Sequence, residues 1–216
     1  MDKLWNKIDN YIEDSLVKQD DIFRTVLGNS HNAGLPEINI SPAQGKMLYI
    51  ILKAISAENV LEIGTLSGYS SIWMARALPG NGELISLEID PYHAEVASKN
   101  IELANLSEII KIRTGDAISG LKKLNEEKHK PFDLIFIDAD KQNNYVYFNM
   151  AMELSHTGTL IVIDNVVMGG SILDSSDSLG IRELFNTIAN TDTVDATAIQ
   201  TVGIKGHDGF AIIIVK

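Results

Sequence analysis

The chain contains, between residues 60 and 70, the passage Val60-Leu61-Glu62-Ile63-Gly64-Thr65-Leu66-Ser67-Gly68-Tyr69-Ser70. An apolar run ends beside an acid and is followed by a loop with two glycines. Gly64 and Gly68 allow the backbone to turn sharply and to approach a ligand. The helical pattern from Tyr69 to Leu78 would begin over that ligand. The passage predicts a nucleotide-type cofactor site, and the alternative is a tight strand-to-helix turn without a ligand.

The spacing of the glycines indicates which kind of cofactor the loop suits. A dinucleotide-binding loop has glycine at its first, third and sixth positions, whereas the pattern here is G-x-x-x-G with Glu62 two residues ahead of it. A second apolar run ends in Glu88, where an acid is placed to accept both ribose hydroxyls. The pattern E-x-G-x-x-x-G resembles the first motif of S-adenosylmethionine-dependent methyltransferases, whose cofactor carries an amino acid and a ribose but no phosphate.

Composition indicates a single globular domain over residues 1–216, with 45% hydrophobic residues to form one core. No apolar run is long enough to cross a bilayer and residues 1–6 lack a signal-peptide pattern, so we expect a cytoplasmic protein without a membrane partner. The absence of cysteine excludes disulfides, thiolate metal ligands and a cysteine nucleophile. A formal charge of -11 disfavours non-specific attraction to nucleic acid.

Periodicity predicts an N-terminal helical cap over residues 1–57 and an α/β core over residues 58–216. The first helix has an apolar stripe at helical spacing, made of Leu4, Ile8, Tyr11, Ile12 and Leu16. We expect Gly28 to stop a second helix, and Ser41 to cap a third helix that has Pro42 at its first position.

The core alternates between strand-like and helical runs. The strands are expected at 59–63, 84–88, 109–113, 132–138 and 159–164, with helices near 69–78, 91–104, 116–126 and 141–154. After a helix over 179–189, runs at 196–202 and 209–215 form a hairpin with a glycine-rich connection over 203–208. The order predicts a Rossmann-like α/β fold, a mostly parallel seven-stranded sheet with helices on both faces and a C-terminal antiparallel hairpin. The loop over 166–178 is the candidate mobile segment facing the substrate.

Polar side chains follow two of these strands. The fourth run ends in Asp138-Ala139-Asp140-Lys141 and the fifth in Asp164-Asn165. If the strands are close in the sheet, their carboxyl ends bring three hard oxygen ligands together, as a magnesium-like ion requires. Asp138 alone is more typical of a helix cap. Lys141 sits where a lysine opposes the helix dipole, which makes it a candidate general base beside a cation.

These features resemble the cation-dependent O-methyltransferases of the catechol and caffeoyl-CoA type, including their small bacterial members. The similarity covers nearly the whole chain: the helical cap, the segment Ser41 to Lys46, the passage L-E-I-G-T-L-S-G-Y-S, the D-A-D-K tip, the D-N pair and the terminal G-x-D-G-F run. The D-A-D-K tip followed by the distant D-N pair is the most specific part.

The resemblance implies a set of site residues. Asp138, Asp164 and Asn165 would hold a divalent cation, with Mg2+ expected and Mn2+ or Ca2+ as alternatives. Lys141 would deprotonate the acceptor hydroxyl, with Asp138 as the second catalytic residue. S-adenosylmethionine would be surrounded by Ile40, Glu62, Gly64, Thr65, Ser70, Glu88, Ala117, Asp138 and Asp140. Asp116 either lies beside the adenine or caps the following helix.

The implied function is methyl transfer to a vicinal diol on a phenolic small molecule, by a homodimer whose N-terminal helices help to form the interface. The chain has Asp140 and Gly169 where mammalian catechol enzymes have tryptophan and proline, so the caffeoyl-CoA and bacterial branches fit better. One alternative acceptor is a hydroxylated uridine in tRNA, held by Lys46, Arg24 and Lys205. The other alternative is a non-catalytic cofactor-binding protein.

Overall fold

The computed structural model describes residues 2–173 and 179–216, so residues 174–178 of the predicted mobile loop lie outside the described part. The helices are α1 Asp2–Ile12, α2 Asp21–Asn32, α3 Pro42–Ala54, α4 Tyr69–Ala75, α5 Pro91–Leu103, α6 Ala117–Glu126, α7 Asn144–Glu153 and α8 Leu179–Ala189. The strands are β1 Asn59–Ile63, β2 Glu83–Glu88, β3 Ile110–Thr114, β4 Phe132–Ile137, β5 Ser155–Asp164, β6 Val194–Gly203 and β7 Gly206–Val215. None of the described helices is long and apolar enough to span a membrane.

The strands form one seven-stranded sheet in the order β3-β2-β1-β4-β5-β7-β6. The first five strands are parallel, and β7 runs antiparallel to both β5 and β6. Two separate clusters of buried apolar side chains lie against the sheet. This arrangement confirms the predicted fold, and it sets the carboxyl ends of β1, β2, β4 and β5 along one edge.

The N-terminal cap differs from its prediction at Gly28. Helix α2 continues through Gly28 to Asn32, because a glycine inside a helix costs only about 1 kcal/mol. The chain leaves the helix at Ala33 and turns at Gly34, whose φ is +71°. The prediction for α3 is confirmed, since the Ser41 hydroxyl accepts a hydrogen bond from the backbone N–H of Gln44 at 3.2 Å.

The C-terminal hairpin is longer than its prediction. The expected connection over residues 203–208 is a two-residue turn, because Gly203 still pairs with Gly206 and only Ile204 and Lys205 lie between the strands. Gly206 has a φ of +93°, which suits a tight hairpin turn. The hairpin therefore extends well past the carboxyl edge of the sheet.

Candidate active site

A cavity of about 1010 Å³ lies over the carboxyl edge of the sheet. Its wall brings together residues that are far apart in the chain. The predicted site residues that line it are Ile40, Gly64, Thr65, Ser70, Glu88, Ala117, Asp138, Asp140, Lys141, Asp164 and Asn165. Residues from α1, from the loop before α3 and from the hairpin complete the wall.

Gly64 directly follows β1 and lies against the ends of the two flanking strands, β2 and β4. Its φ is +100°, and its N–H donates to the carbonyl of Leu87 in β2 at 2.9 Å. A Cβ at this position would overlap the carbonyl oxygen of Asp138. The N–H of Asp138 in turn donates to the carbonyl of Ile63 at 2.9 Å. Only glycine therefore lets the loop after β1 lie against the end of β4.

Glu88 supports the glycine loop at the end of β2. Its Oε2 accepts hydrogen bonds from the backbone N–H groups of Thr65 at 3.0 Å and Leu66 at 2.8 Å. Its Oε1 accepts from the N–H of Asp90 at 2.9 Å. The side chain is 7% exposed and lines the cavity, so it fixes the loop and also presents a carboxylate to a ligand.

Glu62 is fully buried below the loop and does not line the cavity. Its carboxylate accepts hydrogen bonds from Ser70 and Ser86 at 2.5 Å each and from Ser71. Burial outweighs these bonds and raises the pKa of Glu62 to about 7. Sequence reasoning missed this network. The signal was Ser86, a polar residue inside an apolar strand, which pairs with Glu62 across the sheet.

Lys141 and the two strand-end aspartates meet at the other end of the cavity. The Lys141 ammonium donates to Asp138 Oδ1 at 2.8 Å. Burial raises the pKa of Asp164 to about 6, and the nearby charge of Asp138 adds to this, while Lys141 and the Gln44 side chain act in the opposite direction. Lys141 begins a 3-10 turn over residues 141–143, where the sequence predicted the start of an α-helix.

Asn165 is held by a residue that sequence reasoning did not assign to the site. Asn165 has a φ of 55°, and its Nδ2 donates to Asp208 Oδ2 at 2.9 Å. The other Asp208 oxygen accepts from the N–H groups of Met168 and Gly209 at 2.9 Å each. The side-chain nitrogen of Asn165 is thereby engaged, so a ligand that binds this side chain would meet its carbonyl oxygen. The aspartate in the G-x-D-G-F run was the signal for this role.

The donor set of Asp138, Asp164 and Asn165 fits a hard divalent cation. Two carboxylates near one lysine leave negative charge that a cation offsets, and the Asn165 carbonyl supplies a third oxygen. Within residues 2–173 and 179–216, no three His, Cys, Asp or Glu side chains form a metal cluster. A cation beside Asp138 and Asp164 would have the Asn165 amide oxygen as its third protein donor.

Two further acids at the cavity have defined structural partners. The Asp116 carboxylate accepts from the N–H of Ser119 at 2.8 Å, which confirms the capping interpretation, and Asp116 also lines the cavity. Asp140 accepts from the Tyr147 hydroxyl and the Asn143 amide at 2.5 Å each. The Tyr147 bond fixes Asp140 against α7.

Comparison with known proteins identifies the family of the chain. A model of the O-methyltransferase family matches residues 13–214. The chain belongs to the O-methyltransferase family. It is 49% identical over 219 residues to a catechol O-methyltransferase of Niastella koreensis, covering 99% of both chains.

Solved structures of related O-methyltransferases extend the comparison to the cofactor. A Bacillus cereus O-methyltransferase in complex with S-adenosylhomocysteine (SAH) superposes with a TM-score of 0.98 at 45% identity, with both chains covered completely. The O-methyltransferase TomG of Streptomyces achromogenes, in complex with SAM, has a TM-score of 0.96 at 37% identity and covers 100% of this chain and 98% of its own. This O-methyltransferase therefore uses S-adenosylmethionine (SAM).

Proposed function

We propose that this O-methyltransferase transfers the SAM methyl group to one hydroxyl of a vicinal diol on a phenolic small molecule, with a divalent cation held by Asp138, Asp164 and Asn165. The observation that carries the proposal is the 2.8 Å contact of the Lys141 ammonium with Asp138, which places an amine beside the oxygen donors. The name of the Niastella koreensis relative, a catechol O-methyltransferase, favours the same class of acceptor.

The cation ligands and Lys141 have different roles in the proposed reaction. Asp138, Asp164 and Asn165 would hold the divalent cation, which when bound would supply Lewis-acid chemistry that lowers the pKa of an acceptor hydroxyl. Lys141 would take the proton of that hydroxyl at Nζ. The oxyanion attacks the methyl carbon, the carbon–sulfur bond of the sulfonium breaks, and the products are a methyl ether and SAH. The Lys141 side chain is 18% exposed, so the proton passes from Nζ to solvent.

The tRNA alternative has less support from the cavity wall. Of the three basic residues proposed for it, Lys205 lines the cavity, whereas Lys46 lies 4.6 Å over the Tyr49 ring on another surface. Arg24 is paired with Asp21 at 2.6 Å. A non-catalytic role has no supporting feature, because the lysine and the oxygen donors are all assembled.

The direct test is transfer of a radiolabelled methyl group from SAM to three acceptors: catechol, phenol and hypomodified tRNA. We expect label in catechol, and little in phenol because a single hydroxyl lacks the second oxygen. Labelling of tRNA alone would replace the proposal by the nucleic-acid alternative. Equal labelling of phenol and catechol would remove the requirement for a diol.

A homodimer remains part of the proposal. The apolar stripe of the N-terminal helical region is exposed, since Leu4 and Tyr11 of α1 are 62% and 74% exposed and Leu16, which follows α1, is 71% exposed. An apolar helix face of this kind is typical of a contact with another chain. Light scattering at micromolar concentration tests this, and a monomer mass there would contradict it.

A further inference from the structure

The β6–β7 hairpin forms a wall of the cavity beyond the sheet edge. Asp164, at the end of β5, pairs with Phe210, and pairing of β6 with β7 continues to Gly203 and Gly206. At a rise of about 3.3 Å per residue, the turn lies roughly 13 Å past the level at which β5 ends. The hairpin thus carries its two turn residues away from the proposed cation ligands and along the cavity.

The N-terminal cap fixes the position of that turn. The N–H of Ile204 donates to Asp9 Oδ2 in α1 at 2.6 Å, and a Cβ on Gly203 would overlap the same carboxylate. The neighbouring Lys205 reaches the loop before α3, where its Nζ donates to the backbone carbonyl of Glu37 at 3.1 Å. Because α1 and the loop before α3 both hold the turn, Lys205 has a defined place on the cavity wall.

The ammonium group of Lys205 lacks a carboxylate partner among the described residues. Two carboxylates of the wall are already engaged, since Asp9 accepts from Ile204 and the Glu37 side chain pairs with His31 at 3.0 Å. Partial burial lowers the pKa of Lys205, and the charge of Glu37 opposes this. The Lys205 ammonium would form a stronger hydrogen bond with an anion than with the neutral carbonyl of Glu37, because hydrogen bonds between two charged groups are stronger.

We propose that Lys205 determines acceptor specificity by binding an anionic group at the far end of the acceptor, so that the preferred substrates are vicinal diols with a carboxylate on a short side chain. The inference rests on the proposed function, since the diol must be held near Asn165. Asp208 bonds to Asn165 and lies three residues from Lys205, a span of roughly 10 Å in extended backbone. The side chain of the acceptor must bridge this distance.

The experiment compares two acceptors that differ only in charge: a catechol with a propanoic acid side chain and the primary amide of that acid. The wild-type enzyme should prefer the acid by about tenfold in kcat/KM, mainly through KM, as expected for one hydrogen bond to a charged group. Lys205→Met should bring the ratio close to one, and Lys205→Glu should invert it. Lys53→Met, an exposed lysine of α3 outside the cavity wall, should keep the wild-type ratio.

The outcomes separate the inference from the function on which it rests. Methylation of both acceptors, with the same acid-to-amide ratio in wild type and Lys205→Met, would overturn the role of Lys205 and leave the proposed function standing. Methylation of neither acceptor by the wild-type enzyme would overturn the proposed function, and the inference with it. Loss of the acid preference in Lys53→Met as well would show that general surface charge causes it, which also overturns the inference.

Discussion

The two ends of the cavity are built in different ways. The glycine-loop end is lined by Gly64, Thr65, Ser70 and Glu88, with Glu62 buried below them. All five lie within 27 consecutive residues between β1 and the end of β2. The aspartate end consists of Asp138, Lys141, Asp164 and Asn165 from β4, β5 and the loops after them, with a wall that draws on both ends of the chain. The first is local in sequence, and the second exists only after the whole sheet has formed.

The two ends also differ in the groups that stabilise the negative charge of their carboxylates. At the glycine-loop end, Glu88 accepts three backbone N–H bonds and Glu62 accepts three hydroxyl bonds. At the aspartate end, Asp138 and Asp164 share Lys141 as the cation between them. The first end is therefore organised before a ligand binds, whereas the second retains negative charge that favours a cation.

The largest expected effect is a loss of methyl transfer at the aspartate end without a loss of SAH affinity. Lys141→Ala should lower the rate of the chemical step by roughly 10² to 10⁴, the usual range for loss of a positioned general base. Its affinity for SAH should stay close to wild type, because Lys141 contributes only to the aspartate end. Single-turnover kinetics with saturating cation and catechol measures the rate, and calorimetry the affinity. A wild-type rate would assign the base to another group or to solvent.

A smaller effect is expected where the two ends touch. Gly64→Ala should destabilise the protein by about 2–4 kcal/mol, because the variant combines a strained positive φ with overlap on the Asp138 carbonyl. Denaturant unfolding measures this, and the affinity for SAH should fall as well. Gly80→Ala is the matched control, since a Cβ there meets no atom within 4 Å. Equal stability of the two variants would contradict the close approach of the two ends.

Sequence reasoning located most reliably the cavity residues that are neighbours in the chain. The glycine loop and the D-A-D-K tip each follow an apolar strand, and Glu88 ends another, so one periodic pattern locates all three. The Asp9–Ile204 bond, the Asp208–Asn165 bond and the Gln44 contribution at Asp164 join segments between 43 and 195 residues apart. No local spacing encodes such contacts. Gly28 was misjudged because helix propensity is weaker than the packing of α2.

The smallest effect tests the buried charge below the glycine loop. Burial raises the pKa of Glu62 to about 7, so between about pH 4.5 and 7 the folded state binds a proton that the unfolded state has released. The contribution of this group to the free energy of unfolding therefore falls as pH rises through that window. Relative to Glu62→Gln, the wild type should lose on the order of 2–3 kcal/mol between pH 5 and 8.

The control for this comparison is Glu126→Gln, which changes an exposed acid of α6. Its stability difference from wild type should stay nearly constant with pH, because both the folded and the unfolded chain leave this carboxyl in solvent. Urea unfolding at several pH values gives both differences. A wild-type minus Glu62→Gln difference that is the same at pH 5 and pH 8 would show that the buried carboxyl does not hold the extra proton.

The account depends most on the proposal that Asp138, Asp164 and Asn165 hold a cation that the reaction requires. Methyl transfer to catechol with and without added cation tests this requirement directly. Protein stripped with EDTA and dialysed should bind SAH with unchanged affinity but transfer no methyl group, and added Mg2+ or Mn2+ should restore the activity. Asp164→Ala should not be restored at the same concentrations. Full methyl transfer by the stripped protein, without added cation, would contradict the account.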